Sequence, residues 1–210
     1  MAEIEYFYSA HSGYAYLGSA LFMRIAEAAG RRIVHKPVDL NRVVMACGSP
    51  DFAQRPPAYA AYHFGRDMER WAEHREAPMV EGRPKNHREP MTLPNGMLVA
   101  GVQQGQNVDG LAHRMLEAHW RDNADLTDRD TLAGIAREVG LDPEPLLEAA
   151  LGEEAQAALE ANTEEAIARS VFGSPTYFVD GDMFYGQDRL ELVERALSQP
   201  YKGTWPRDTV

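Results

Sequence analysis

Two short segments stand out, and the first carries a hydroxyl at a helix start. His11-Ser12-Gly13 follows the β-branched and aromatic run 4–8, and Ser12 stands where a helical pattern begins. A serine there caps the free amides of the first helical turn, and that same positive helix end attracts anions. The second segment, Phe172-Gly173-Ser174-Pro175-Thr176, leads into another strand-like run. Near the C-terminus Asp188 precedes Glu191 by three residues at a helix start, the spacing of a capping pair.

Other chemistries are excluded by what is missing. Cys47 is the only cysteine, so no intrachain disulfide, CxxC pair or cysteine-rich metal site can form. The seven histidines include His113 and His119, six apart, with no HExxH, and no metal is expected. Ser12 beside His11 lacks the Gly-x-Ser-x-Gly turn of a serine hydrolase. The net charge of −11, from 32 acidic and 21 basic residues, repels a phosphate backbone, so nucleic acid is not an expected partner. An anionic small ligand must then be met by arginines or a helix N-terminus. On the helical stretch 57–77, Tyr59, Tyr62, His63, Arg66, Arg70 and Trp71 fall mostly on one broad face, where Arg66 or Arg70 could neutralise a carboxylate. The same face suits plain packing within the helical region.

The elements that must position these residues follow from periodicity. Residues 4–8 read as a strand and 13–29 as a helix with apolar Tyr14, Leu17, Leu21, Ile25 and Ala28, stopped by Gly30. Residues 32–38 read as a second strand, which completes a right-handed βαβ unit. Stretches 57–77, 104–122, 127–139, 143–151 and 153–170 favour helix, with starts marked by Pro57, by Thr127 with Asp130, and by Asp142 before Pro143. Between residues 77 and 101, prolines and glycines predict an irregular loop that could cover a site. Residues 176–179 and 183–185, separated by Asp180-Gly181-Asp182, predict a hairpin followed by a last helix. The expected architecture is α/β: residues 1–40 and 171–210 form one βαβ…ββα domain, and 41–170 a large all-helical insertion. No apolar run reaches the roughly 20 residues of a membrane span, and the first residues lack a signal-peptide pattern, so a cytoplasmic protein without membrane contact is expected.

This order of elements is that of the thioredoxin fold. The turn His11-Ser12-Gly13-Tyr14-Ala15-Tyr16-Leu17, the segment Gly173-Ser174-Pro175-Thr176, the ending Tyr185-Gly186-Gln187-Asp188-Arg189-Leu190 and the stretch Tyr62-His63-Phe64-Gly65-Arg66-Asp67-Met68-Glu69-Arg70-Trp71 together resemble 2-hydroxychromene-2-carboxylate isomerases and kappa-class glutathione transferases. Ser12 stands where redox relatives carry cysteine. Gly13 and Ala15 depart from the family's Ser-Pro-aromatic-Ser turn, and His11 from its usual apolar residue.

The resemblance implies glutathione as cofactor, a small aromatic substrate and a homodimer. It implies isomerisation of a chromene carboxylate to a benzylidenepyruvate by reversible thiol addition, bond rotation and elimination. Ser12 would stabilise the glutathione thiolate, while Ser174 and a cis Pro175 would pair with the cysteinyl part. Asp188 and Arg189 would meet the γ-glutamyl end, and His11, Tyr14, Tyr62, Arg66 and Arg70 are candidates for the acceptor pocket. A free thiol has a pKa of about 8.5. A hydrogen bond to the sulfur anion contributes roughly 1.5 to 3 kcal/mol, or about one to two pKa units, against a smaller helix-end contribution of about 0.3 to 1 kcal/mol. A kappa-like transferase and a non-catalytic thioredoxin-like binding module are the alternatives.

Overall fold

The computed structural model describes residues 2–203, 205 and 206; Met1, Thr204 and residues 207–210, the ends of the expected first domain, lie outside the described residues. Strand β1 (Glu3–Tyr8), helix α1 (Gly13–Ala28) and strand β2 (Arg32–Pro37) form the βαβ unit. Helices α2 (Leu40–Ala46), α3 (Pro57–Ala61), α4 (Met68–Arg75), α5 (Thr92–Gln103), α6 (Asp109–Trp120), α7 (Arg129–Glu138), α8 (Pro143–Ala150) and α9 (Glu153–Ala168) follow. Strands β3 (Thr176–Val179) and β4 (Asp182–Tyr185) and helix α10 (Leu190–Ser198) complete the chain. The sheet order is β2-β1-β3-β4, with β1 parallel to β2 and antiparallel to β3, which pairs antiparallel with β4. This is the expected thioredoxin-like α/β arrangement.

Aromatic residues set the centre of the sheet. Tyr6 sits opposite His35 of β2 and Tyr177 of β3, and its ring stacks on Tyr8 at 4.1 Å and Tyr177 at 5.4 Å. These rings bury large apolar area in geometries that aromatic pairs favour. One core runs without a break from Ile4 and Tyr6 through Leu111 and Met115 to Leu132 and Leu146, so the sheet and the helices of the middle region are packed together. Tyr8, His35 and Asp109 are linked by hydrogen bonds of 2.9 and 2.8 Å, which tie both parallel strands to α6.

The expected loop between residues 77 and 101 is wrong at its C-terminal end, where α5 begins. Two causes hid this helix. Pro94 lies in the first turn, where a missing N–H costs no helical bond, and Asn95, Gly96 and Gly101 lower intrinsic propensity. The helix is also buried continuously from Leu93 to Gly101, so it has no polar face and no 3.6-residue pattern. Gly96 is required by contact, since a Cβ there would lie 2.1 Å from the Ala150 carbonyl oxygen of α8. Because α5 extends to Gln103, α6 starts at Asp109 and not near Gln104.

Caps also differ from expectation. Asp142 caps α8 as predicted, but α7 is capped by Asp128, whose carboxylate accepts from the Thr131 amide at 2.8 Å. Thr127 instead bonds the Asp125 carboxylate. The Asp188–Glu191 capping pair does not form: a 3-10 turn, Gln187–Arg189, precedes α10 without a side-chain cap, and Glu191 accepts from Arg75 at 3.0 Å.

Candidate functional site

Ser12 is held at the junction of β1 and α1. Its hydroxyl oxygen accepts from the Ala15 amide at 3.3 Å, capping α1, and its O–H donates to the Ser174 carbonyl, also at 3.3 Å. The cap and a donor role therefore coexist on one atom. The Ser174–Pro175 bond is cis, and Ser174 Oγ accepts from the Ser9 amide at 3.4 Å. Ser12 and Ser174 thus meet across the gap between the two halves of the fold.

The turn is clamped from the helical region. Trp120 donates its indole N–H to the His11 carbonyl at 2.8 Å. A Cβ on Gly13 would lie 2.2 Å from Met68 Cε and 2.9 Å from Trp120, so these side chains occupy the space that a proline or alanine would need. Asn95 of α5 accepts from the Ala10 amide at 2.9 Å and donates to Ser9 Oγ and the Val38 carbonyl at 3.2 and 3.1 Å. A buried amide with all three partners ties two separate segments, residues 9–10 and Val38, to α5.

A cleft of ≈ 1050 Å³ opens over this turn. Ser12, Gly13, Tyr14, Ser174 and Tyr185 line its thioredoxin side, and Arg55, Tyr59, His63, His87 and Asn95 its helical side. The Tyr14 hydroxyl lies 2.8 Å from the Asp67 carboxylate and 2.7 Å from the His63 carbonyl. Burial and Asp67 push its phenol well above the ordinary range, so it stays a donor. Arg55 sits over Phe52 at 4.3 Å, donates to the Tyr59 hydroxyl at 3.2 Å and has no partner for its buried Nε among the described residues.

The structure brings His11, Ser12, Tyr14 and Ser174 together around the cleft, with Pro175 next to Ser174. It does not bring Tyr62, Arg66 or Arg70 there. Between α3 and α4 the chain forms a π-helical stretch, Tyr62–Asp67, whose wider turn shifts the faces that simple 3-and-4 spacing assumes. Tyr59 and His63 line the cleft, whereas Tyr62 is exposed and bonded by Arg70 at 3.4 Å, and Arg66 pairs with Glu69 at 3.0 Å. Asp188 and Arg189 pair with each other at 2.5 Å and also lie outside the cleft lining.

Sequence reasoning missed Arg55, His87, Asn95 and Trp120. Asn95 carried a readable signal, a lone amide in an apolar run. Arg55 stands before the prolines that start α3, and His87 lies in an irregular segment with nothing local to mark it. Among the described residues no group of three or more His, Cys, Asp or Glu is arranged to hold a metal, and no helix is long and apolar enough to cross a membrane.

The DsbA-like thioredoxin domain family matches residues 3–198, and the chain belongs to that family. Within it, the chain is 28% identical to a 2-hydroxychromene-2-carboxylate isomerase of Sphingobium xenophagum over 195 residues, 92% of this chain and 97% of that protein. It is 24% identical to human glutathione S-transferase kappa 1, over 97% of this chain and 94% of the other. A solved 2-hydroxychromene-2-carboxylate isomerase shares the fold with a TM-score of 0.76 at 23% identity, covering 93% of this chain and 94% of that one.

Proposed function

We propose that this chain is a glutathione-dependent isomerase of a chromene carboxylate or benzylidenepyruvate-type substrate. The observation that carries the reading is the Ser12 hydroxyl, at the N-cap of α1 and opposite Ser174, beneath an open cleft. When bound, glutathione supplies a thiol whose anion adds reversibly to the acceptor's double bond.

The donor set suits an anionic tripeptide. Arg55, Arg83 and Arg88 line the cleft, and none pairs with a carboxylate among the described residues. The unpartnered Arg55 Nε is a donor awaiting an acceptor. Ser12 turns its O–H from the Ser174 carbonyl to the sulfur, and the α1 N-terminus adds to that field. Trp120 holds the turn through the His11 carbonyl, and Tyr14 ties the start of α1 to His63 and Asp67.

The test is absorbance spectroscopy of a chromene carboxylate with the protein, with and without glutathione, repeated with Ser12→Ala. Glutathione-dependent conversion, lost in Ser12→Ala while its Tm falls only by the loss of a cap, supports the reading. Conversion without glutathione overturns it. Consumption of glutathione into a stable adduct favours a transferase, a reading that the likeness to the human kappa protein also supports.

A further inference from the structure

Beside Ser12 lie three imidazoles that the proposed chemistry of Ser12 does not use. His11 and His87 have ring centroids 5.0 Å apart, and His87 and His119 stack at 5.2 Å. Their hydrogen bonds fix where each proton sits.

The Ala10 amide donates to Asn95 Oδ1, which settles that side chain's orientation, so its Nδ2 donates to Ser9 Oγ. The hydroxyl proton of buried Ser9 then has one acceptor left, His11 Nδ1 at 2.9 Å. The opposite assignment would leave a buried O–H unsatisfied, which folded proteins avoid. His11 therefore carries its proton on Nε2. On the other side, His119 Nδ1 faces the Ala124 carbonyl at 3.4 Å, an atom that only accepts. His119 Nε2 is then an acceptor and takes the proton of His87 Nδ1 at 2.9 Å. His87 is left with a bare lone pair on Nε2.

Among the described residues neither His11 Nε2 nor His87 Nε2 has a partner, neither is fully enclosed, and both residues line the cleft. One offers a donor and the other an acceptor. A carboxylate cannot use the acceptor, and an ammonium cannot use the donor; a neutral hydroxyl uses both. We propose that His11 and His87 form a hydroxyl-selective subsite, His11 Nε2 donating to the oxygen of a hydroxyl on the aromatic substrate while that hydroxyl donates to His87 Nε2. The identity of the hydroxyl's carrier rests on the isomerase reading; the donor–acceptor pair does not. Burial supports the neutral forms: it pushes His11 down to about 4, helped by His119, and His87 down to about 2, helped by His11, His119, Arg83 and Arg88.

Two measurements test this on the intact protein. Long-range 1H–15N correlation spectra report imidazole tautomers directly; His11 is expected as the Nε2–H form and His87 as the Nδ1–H form, and either opposite tautomer overturns the subsite. Calorimetric affinities are then compared for 2-hydroxybenzylidenepyruvate, its 2-methoxy ether and the parent without oxygen. The hydroxyl compound is expected to bind at least about tenfold more tightly, as for two neutral hydrogen bonds. His11→Phe and His87→Phe should each erase most of that preference. His119→Phe, which acts only by freeing the His87 tautomer, should weaken it while His87 remains in place. Equal affinities for the three compounds, or binding of none, overturn the proposal. Retained preference with no glutathione-dependent turnover would remove the isomerase reading and leave the subsite standing.

Discussion

The indole of Trp120, the last residue of α6, donates to the carbonyl of His11 at 2.8 Å, so the far end of a helix holds the residue before Ser12 in place. The ring also covers Gly13. Trp120→Phe keeps most of the cover and removes the donor. Urea unfolding should show a loss of about 1 to 2 kcal/mol, and kcat should fall more than KM changes, because the turn and not the ligand contact is loosened.

Gly13→Ala tests the tight fit over the turn. Its Cβ meets Met68 Cε at 2.2 Å and Trp120 at 2.9 Å, which is overpacking, with an expected cost of about 1 to 3 kcal/mol. The methionine end can yield and the indole cannot. Adding Met68→Ala should therefore recover part of the Tm, and a double-mutant cycle should give a coupling well above zero.

Arg55 and the arginines of α4 and its π-helical lead-in make opposite predictions. Arg55→Met should raise KM for an anionic substrate roughly tenfold to a hundredfold, the worth of a charged hydrogen bond of about 1.5 to 3 kcal/mol. Arg66→Ala and Arg70→Ala, on exposed side chains, should leave kcat/KM within about twofold. Steady-state kinetics of the three variants separates the sites.

The histidines give the fold an acid sensitivity above the carboxylate range. His11, His63, His87, His113 and His119 all have folded pKa values lowered chiefly by burial. The unfolded chain binds protons first, so stability is full above about pH 6.5 and falls with decreasing pH. For His11 the loss continues until its folded value of about 4, on the order of 3 kcal/mol in all. Urea unfolding at pH 7 and pH 5 should differ by more than about 2 kcal/mol, and His11→Phe should flatten that slope.

Much of the frame was legible because local signals and tertiary structure agree. The run 4–8 is β-branched and aromatic with Ser and Gly soon beyond it, Asp180-Gly181 makes the hairpin, and Ser12 both caps α1 and lines the cleft. The helical wall of the cleft was less legible. Helix α5 is buried on every side and so lacks a face to read; the π-helical turn moves Tyr62, Arg66 and Arg70 away from Tyr59 and His63; and His87 is placed by a bond to His119, 32 residues on. Such placements depend on contacts between distant segments, which no local window contains.

Asn95 joins stretches that lie 85 and 57 residues from it in the chain, through the Ala10 amide and the Val38 carbonyl. Closing loops of that length is entropically costly, and the Asn95 amide has all of its partners only when both distant segments have arrived. The complete Asn95 junction therefore requires the end of β1, the end of β2 and α5 to be assembled together. Amide exchange at Ala10 should then proceed only through global opening, which makes one proton a reporter of whether the whole site exists.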